Sequence, residues 1–207
     1  MDEHSAKESD VSDYIGGAGN ISHLWEFIDY FEKKLEPEIS PYKDWLCSVY
    51  FQCPNFAAWI RFYPELICTK AMVELNRAEK CKDKIKSYNY GTVTEKVIEI
   101  AKKEREKTGA DSFTFESRVK ALKLTVELRH TLQHGGIPNV LRNMIFKEVS
   151  KEDVNKMVIP QNYLETKKIF QNANLLIEML PRPKITIHSN GKVEFKEAKG
   201  PTKKGRL

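Results

Sequence analysis

Residues 127–136 read Glu127-Leu128-Arg129-His130-Thr131-Leu132-Gln133-His134-Gly135-Gly136. An amphipathic pattern arrives at this stretch and stops there. Phe115, Val119, Leu122, Val126 and Leu132 recur at helical spacing, which predicts a helix from about Ser112 to His134. The Gly-Gly pair, followed by Ile137-Pro138-Asn139, ends it. Lys120 and Lys123 are expected to point away from the core. Two of the chain's five histidines fall within this one turn, directly behind an arginine.

Working upstream, Asn89-Tyr90-Gly91 reads as a turn. Thr92 and Glu95 form a capping-box signature for a helix carrying Val93, Val97, Ile100 and Ala101, which Gly109 stops. Before it, Phe56, Ile60, Ile67, Ala71 and Leu75 mark a long helix opened by Pro54, with Pro64 expected to kink or split it. Tyr42 to Gln52 is a short aromatic piece of helical character. Ser22 is read as the N-cap of a helix bearing Leu24, Ile28, Phe31 and Leu35, ended by Pro37. Residues 1–20 are polar and acidic, contain Gly16-Gly17-Ala18-Gly19, and are expected to be a mobile leader.

Downstream, Leu141, Met144, Ile145 and Val149 predict a short helix. Residues 150–161 read as a loop with one turn starting at Ser150. Phe170, Ala173, Ile177 and Leu180 mark a helix from Tyr163 to Leu180, closed by Pro181 and Pro183. The period then changes. Ile185 and Ile187 alternate with polar residues, Asn190-Gly191 supplies a hairpin turn, and Val193 and Phe195 alternate again.

The expected fold class is therefore all-α, an antiparallel helical bundle with a small C-terminal β-hairpin. The expected organisation is a mobile acidic leader (1–20), a helical bundle (21–181), a hairpin (182–197) and a basic tail (198–207).

At 207 residues, 41% hydrophobic and 30% charged, the chain can bury one sizeable core. No apolar run approaches a membrane span, and no basic segment followed by an apolar one opens the chain, so a cytoplasmic protein without membrane contact is expected. Cys47, Cys53, Cys68 and Cys81 contain no Cys-x-x-Cys pair and are expected to be buried free thiols. Net charge is +5 but uneven. Residues 1–13 carry five acids and one base. Residues 182–207 carry eight bases and two acids, a tail that solubilises or attracts an acidic partner.

The chemistry available at 129–134 is that of phosphate and proton. Arg129 presents a rigid cationic fork suited to phosphate. His134 titrates near neutrality and can give or take a proton. Together they suit transesterification at an RNA phosphate, where the 2′-hydroxyl is the nucleophile and no metal is required. On an ideal helix the two side chains lie about 140° apart, so one regular helix does not put them on one face. Either the helix loosens before His134 or two protomers share the site. His130 and His134 do share a face and could be two zinc ligands. The metalloprotease pattern needs glutamate directly after the first histidine, where Thr131 stands, and no nearby third ligand is apparent. No metal or cofactor is expected. In the plainer reading His130 hydrogen-bonds within the bundle, while Arg129 and His134 are surface groups at a helix end.

Arg129-His130-x-x-x-His134-Gly135-Gly136, at the end of a late helix in a mostly helical chain, resembles the HEPN superfamily, whose signature is arginine, a polar residue, then histidine. The resemblance covers about 22–181 loosely and this motif specifically. It implies a bundle that dimerises with two motifs facing each other. It also implies metal-independent endoribonuclease activity on single-stranded RNA, in toxins, phage defence or RNA-guided systems. Arg129 would then stabilise the scissile phosphate, His134 act as acid and base, and His130 orient the pair. A cognate antitoxin or a defence-system protein is the implied partner. Some toxin members carry a modifiable tyrosine two residues after the histidine; here Gly136 stands there. The alternative is a non-catalytic helical module that binds RNA or a protein.

Overall fold

A computed structural model describes residues 3–44, 52–78, 89–109, 111–133, 144–182, 184–187 and 193–196, with backbone alone for 3–20 and for the last two segments. The described chain is a helical bundle. Its elements are α1 (Glu3–Ile39), a 3-10 turn (Ser40–Tyr42), α2 (Pro54–Ala78), α3 (Tyr90–Thr108), α4 (Ser112–Gln133), α5 (Lys151–Met157), a 3-10 turn (Pro160–Asn162) and α6 (Tyr163–Ile177). Two short strands, β1 (Lys184–Ile187) and β2 (Val193–Lys196), pair antiparallel from Lys184↔Lys196 to Ile187↔Val193. Asn190-Gly191, where a turn is expected, lies outside the described residues. No described helix is long and apolar enough to cross a membrane.

Helix α2 is the spine. It packs against α1, α3, α4 and α6. Phe56, Trp59, Ile60, Tyr63, Leu66, Ile67 and Cys68 are all buried, so α2 is enclosed on most sides rather than along one stripe. Aromatic rings tie the layers together. Tyr63 stacks on Phe170 of α6 at 4.6 Å and Trp59 lies 5.5 Å from the same ring, while Trp25 of α1 meets Tyr63 edge-on at 5.9 Å. Truncating a fully buried ring such as Phe170 to alanine would cost roughly 3–5 kcal/mol. The buried Trp59 indole donates to Glu32 of α1 at 3.2 Å.

The start of α2 is capped from another helix. The carboxylate of Glu38, near the end of α1, accepts the backbone N–H groups of Asn55 and Phe56, each at 2.9 Å. It thereby fills two of the donors a helix start leaves unpaired and places negative charge at the positive end of the dipole. Pro54 is the first helical residue, where its missing N–H costs nothing. Pro64 sits mid-helix without splitting it.

Several expected boundaries move. Ser22 is inside α1 rather than at its start, and α1 passes Pro37 to reach Ile39. The cap of α3 is Asn89, whose side chain accepts from the Gly91 N–H at 3.0 Å, so the helix starts at Tyr90, ahead of the Thr92–Glu95 pair. Gly109 ends α3 in the left-handed conformation, φ 71°, as its position predicts. Residues 144–150 form turns, not the helix expected to end at Val149, and the stretch expected to be a loop with one turn from Ser150 instead holds α5, which Ser150 caps by accepting from Asp153 N–H at 3.0 Å. Lys123 does not extend away from the core: its ammonium lies 5.5 Å over the Phe146 ring and 3.1 Å from Glu148. Cys53 and Cys68 are buried free thiols; Cys47 and Cys81 lie outside the described residues.

Candidate functional site

Helix α4 reaches its last turn with Leu122, Val126 and Leu128 buried, which fixes how the polar residues among them are aimed. Arg129 is directed at α2. Its guanidinium grips Glu65 along one edge, Nε donating to Oε2 at 2.6 Å and Nη2 to Oε1 at 3.1 Å. The plane of the fork lies on the Tyr90 ring, 3.9 Å from its centre. Only 12% of the Arg129 side chain remains exposed. Burial works against the cation here, but the hydrogen bond and charge of Glu65 outweigh it and the pKa is raised further. A fork that is bidentate on one edge and stacked on one face is held in a single orientation.

Gln133, one turn further on, donates to the same carboxylate at 3.2 Å. Glu65 thus gathers two side chains from the end of α4. These residues form one wall of an open groove of about 720 Å³ between α2 and α4, where Arg61, Phe62 and Leu132 also lie. Cys68, one turn below Glu65, is enclosed, and burial pushes its thiol up, out of the range where a thiolate forms.

Glu127 takes the opposite direction. Its carboxylate is fully buried, and Oε1 accepts the backbone N–H of Phe146. Oε2 completes no hydrogen bond with any described residue. Burial pushes this carboxyl up from the ordinary glutamate range against the pull of the Phe146 and Ile145 amides. The same stretch is pressed from α3: a β-carbon placed on Gly91 would stand 3.0 Å from Ile145 Cγ2. The chain returning after the motif is therefore seated between Glu127 and the first turn of α3.

Of the three site residues expected from the sequence, Arg129 lies on the groove wall and His130 is half-buried beside it on α4. His134 lies outside the described residues, as do Gly135 and Gly136. Arg129 is not the loosely held surface group of the plainer reading. Glu65, Tyr90, Gln133 and Glu127 were not among the expected residues. One signal for Glu65 was present: an acid within the apolar run from Phe56 to Leu75 needs a partner, because a buried lone carboxylate is costly. The chain matches no family model, no curated protein and no solved structure.

Proposed function

We propose that the protein is a metal-independent endoribonuclease of HEPN type, cutting single-stranded RNA through attack of the 2′-hydroxyl on its own phosphate. The observation that carries this reading is the setting of Arg129. It is oriented by Glu65 and Tyr90 on the wall of an open groove, five residues ahead of His134. In this reading Arg129 stabilises charge growing on the phosphorane. His134 takes the 2′-hydroxyl proton and returns one to the leaving oxygen. His130 orients the pair. On an ideal helix Arg129 and His134 would lie about 140° apart, and the resemblance implies two motifs facing each other, so the working form in this reading is a homodimer with its motifs together. The setting is cytoplasmic, in a toxin-like or phage-defence role with a cognate antitoxin or defence-system partner. The C-terminal hairpin turning at Asn190-Gly191 belongs to the same reading, supported by the antiparallel register of β1 and β2.

One observation favours a second reading. The Arg129 fork is already filled by a carboxylate, as in a structural ion pair. A non-catalytic module binding RNA or a protein would look the same.

Incubation of the protein with labelled single-stranded RNA in EDTA tests the choice. The expected products end in 2′,3′-cyclic phosphate, DNA stays intact, and His134→Ala abolishes cutting. Loss of activity in EDTA restores the zinc reading. RNA binding without cleavage by the wild type leaves the non-catalytic module.

A further inference from the structure

The groove beside Arg129 continues onto a face of exposed aromatic rings. Phe27 is 51% exposed, Tyr30 55% and Phe62 36%. The rings are ordered against one another. Phe62 of α2 stacks on Phe27 at 5.5 Å with 16° between planes, and on Phe31 at 6.0 Å with 7°. Tyr30 meets Phe31 edge-on at 5.3 Å. Phe62 belongs to both features, since it also lines the groove.

The charges on this face are sorted. At about 100° per residue, His23, Tyr30, Phe31 and Lys34 fall within about 60° of Phe27 around α1. Of the acids on this part of α1, Glu26, Asp29, Glu32 and Glu36 fall about 100° or more away, while Glu38, about 20° from Phe27, lies about three turns further along and is taken up by the Asn55 and Phe56 N–H groups. Lys34 holds its ammonium 5.0 Å over the Tyr30 ring, and Arg61 is exposed where the face joins the groove. His23 lies 3.7 Å from Glu26, and Glu65 on the groove wall is matched by Arg129. Cations interleaved with exposed rings are the combination that holds single strands: rings take the faces of unpaired bases and cations follow the phosphates. A paired duplex hides those faces. A purely apolar partner would gain nothing from Lys34 and Arg61.

We infer that the Phe27–Tyr30–Phe62 face is a stacking platform for unpaired RNA bases, leading the strand into the groove at Arg129. The inference rests on the RNA reading of that groove but not on catalysis. Its test is fluorescence anisotropy with a fluorescein-labelled 2′-O-methyl oligoadenylate, which can bind but cannot supply the nucleophile. The double variant Phe27→Ala/Tyr30→Ala is expected to bind at least tenfold more weakly than wild type. Phe27→Trp should bind as well as wild type, and the same oligonucleotide in a duplex should compete poorly. Tyr30→Ala alone, at the most exposed of the three rings, should weaken binding severalfold and serves if the double variant does not fold. Equal binding by wild type and the ring variants overturns the platform, as does absence of binding by wild type. So does a double variant that turns monomeric in light scattering yet keeps its RNA affinity, which would give the face to a second copy. Cleavage by wild type with undiminished binding in the ring variants removes the platform and leaves the nuclease. Ring-dependent binding without cleavage does the reverse.

Discussion

Glu127 and Arg129 stand two residues apart on one helix and are both ionisable, yet the fold treats them oppositely. Glu127 is sealed in, accepts the Phe146 backbone N–H, and leaves one oxygen unmatched among the described residues. Arg129 has a matched carboxylate and an aromatic ring, and it borders open space. The first is tied to the course of the main chain. The second is tied to other side chains at a surface a ligand can reach. Burial alone does not separate architecture from chemistry here, since both groups are largely covered. What separates them is whether a ligand could replace the partner.

The largest effect expected is on catalysis. Arg129→Ala should lower RNA cleavage at least a hundredfold, as loss of a preorganised charge donor does, whereas Glu127→Gln should stay within a few fold of wild type. Comparable losses in both, measured by single-turnover cleavage, would erase the distinction between the two sites.

Stability should show the converse. Glu127→Ala removes the acceptor of the Phe146 N–H and opens a void, at a cost of roughly 1–3 kcal/mol in urea denaturation. Glu127→Gln keeps an acceptor and should lose less. The two should also differ with pH. The folded carboxyl titrates above the ordinary glutamate range, so the folded state holds its proton longer than the unfolded chain. This group therefore makes stability fall as pH rises from the unfolded value through the raised folded one, after which it is constant. Glu127→Gln should remove that part of the slope. An unchanged slope would mean that the carboxyl is hydrated in solution.

A smaller effect is expected at Glu65. Glu65→Gln keeps the shape but withdraws the negative charge from the Arg129 fork, and should tighten RNA binding severalfold if the carboxylate competes with phosphate. Weakened binding would mean that Glu65 orients Arg129 more than it blocks it. Smallest of all, Lys120→Ala breaks an exposed pair with Asp153 at 2.9 Å and should change stability by less than about 1 kcal/mol.

Local signals in the chain forecast local features well. Leu122 and Val126 are buried where helical spacing puts them, and Gly109 ends α3. Competing local signals are harder to rank. Asn89 and the Thr92–Glu95 pair are both acceptable starts for α3, and the carboxamide that reaches the Gly91 N–H decides between them. Non-helical stretches with helical spacing mislead, as at Met144–Val149, where the Phe146 N–H is drawn to a side chain of α4. The setting of the candidate site was not legible in the motif. Arg129 meets Glu65 across 64 positions of sequence, and an ion pair between two helices leaves no periodicity in either. Glu38 over the start of α2, 17 positions away, is hidden in the same way.

Tyr90 is the first residue of α3, in a turn whose side-chain cap is the Asn89 carboxamide. Helix ends are where amide protons exchange first, by openings that need far less free energy than global unfolding. Glu65, in the middle of an enclosed helix, has no such freedom. Arg129 therefore has one neighbour on the middle of a helix and one on a helix end. The ring that covers the Arg129 guanidinium is thus carried by a helix end, and Asn89→Ala, a change that touches neither Arg129 nor the groove, acts on the turn that holds it.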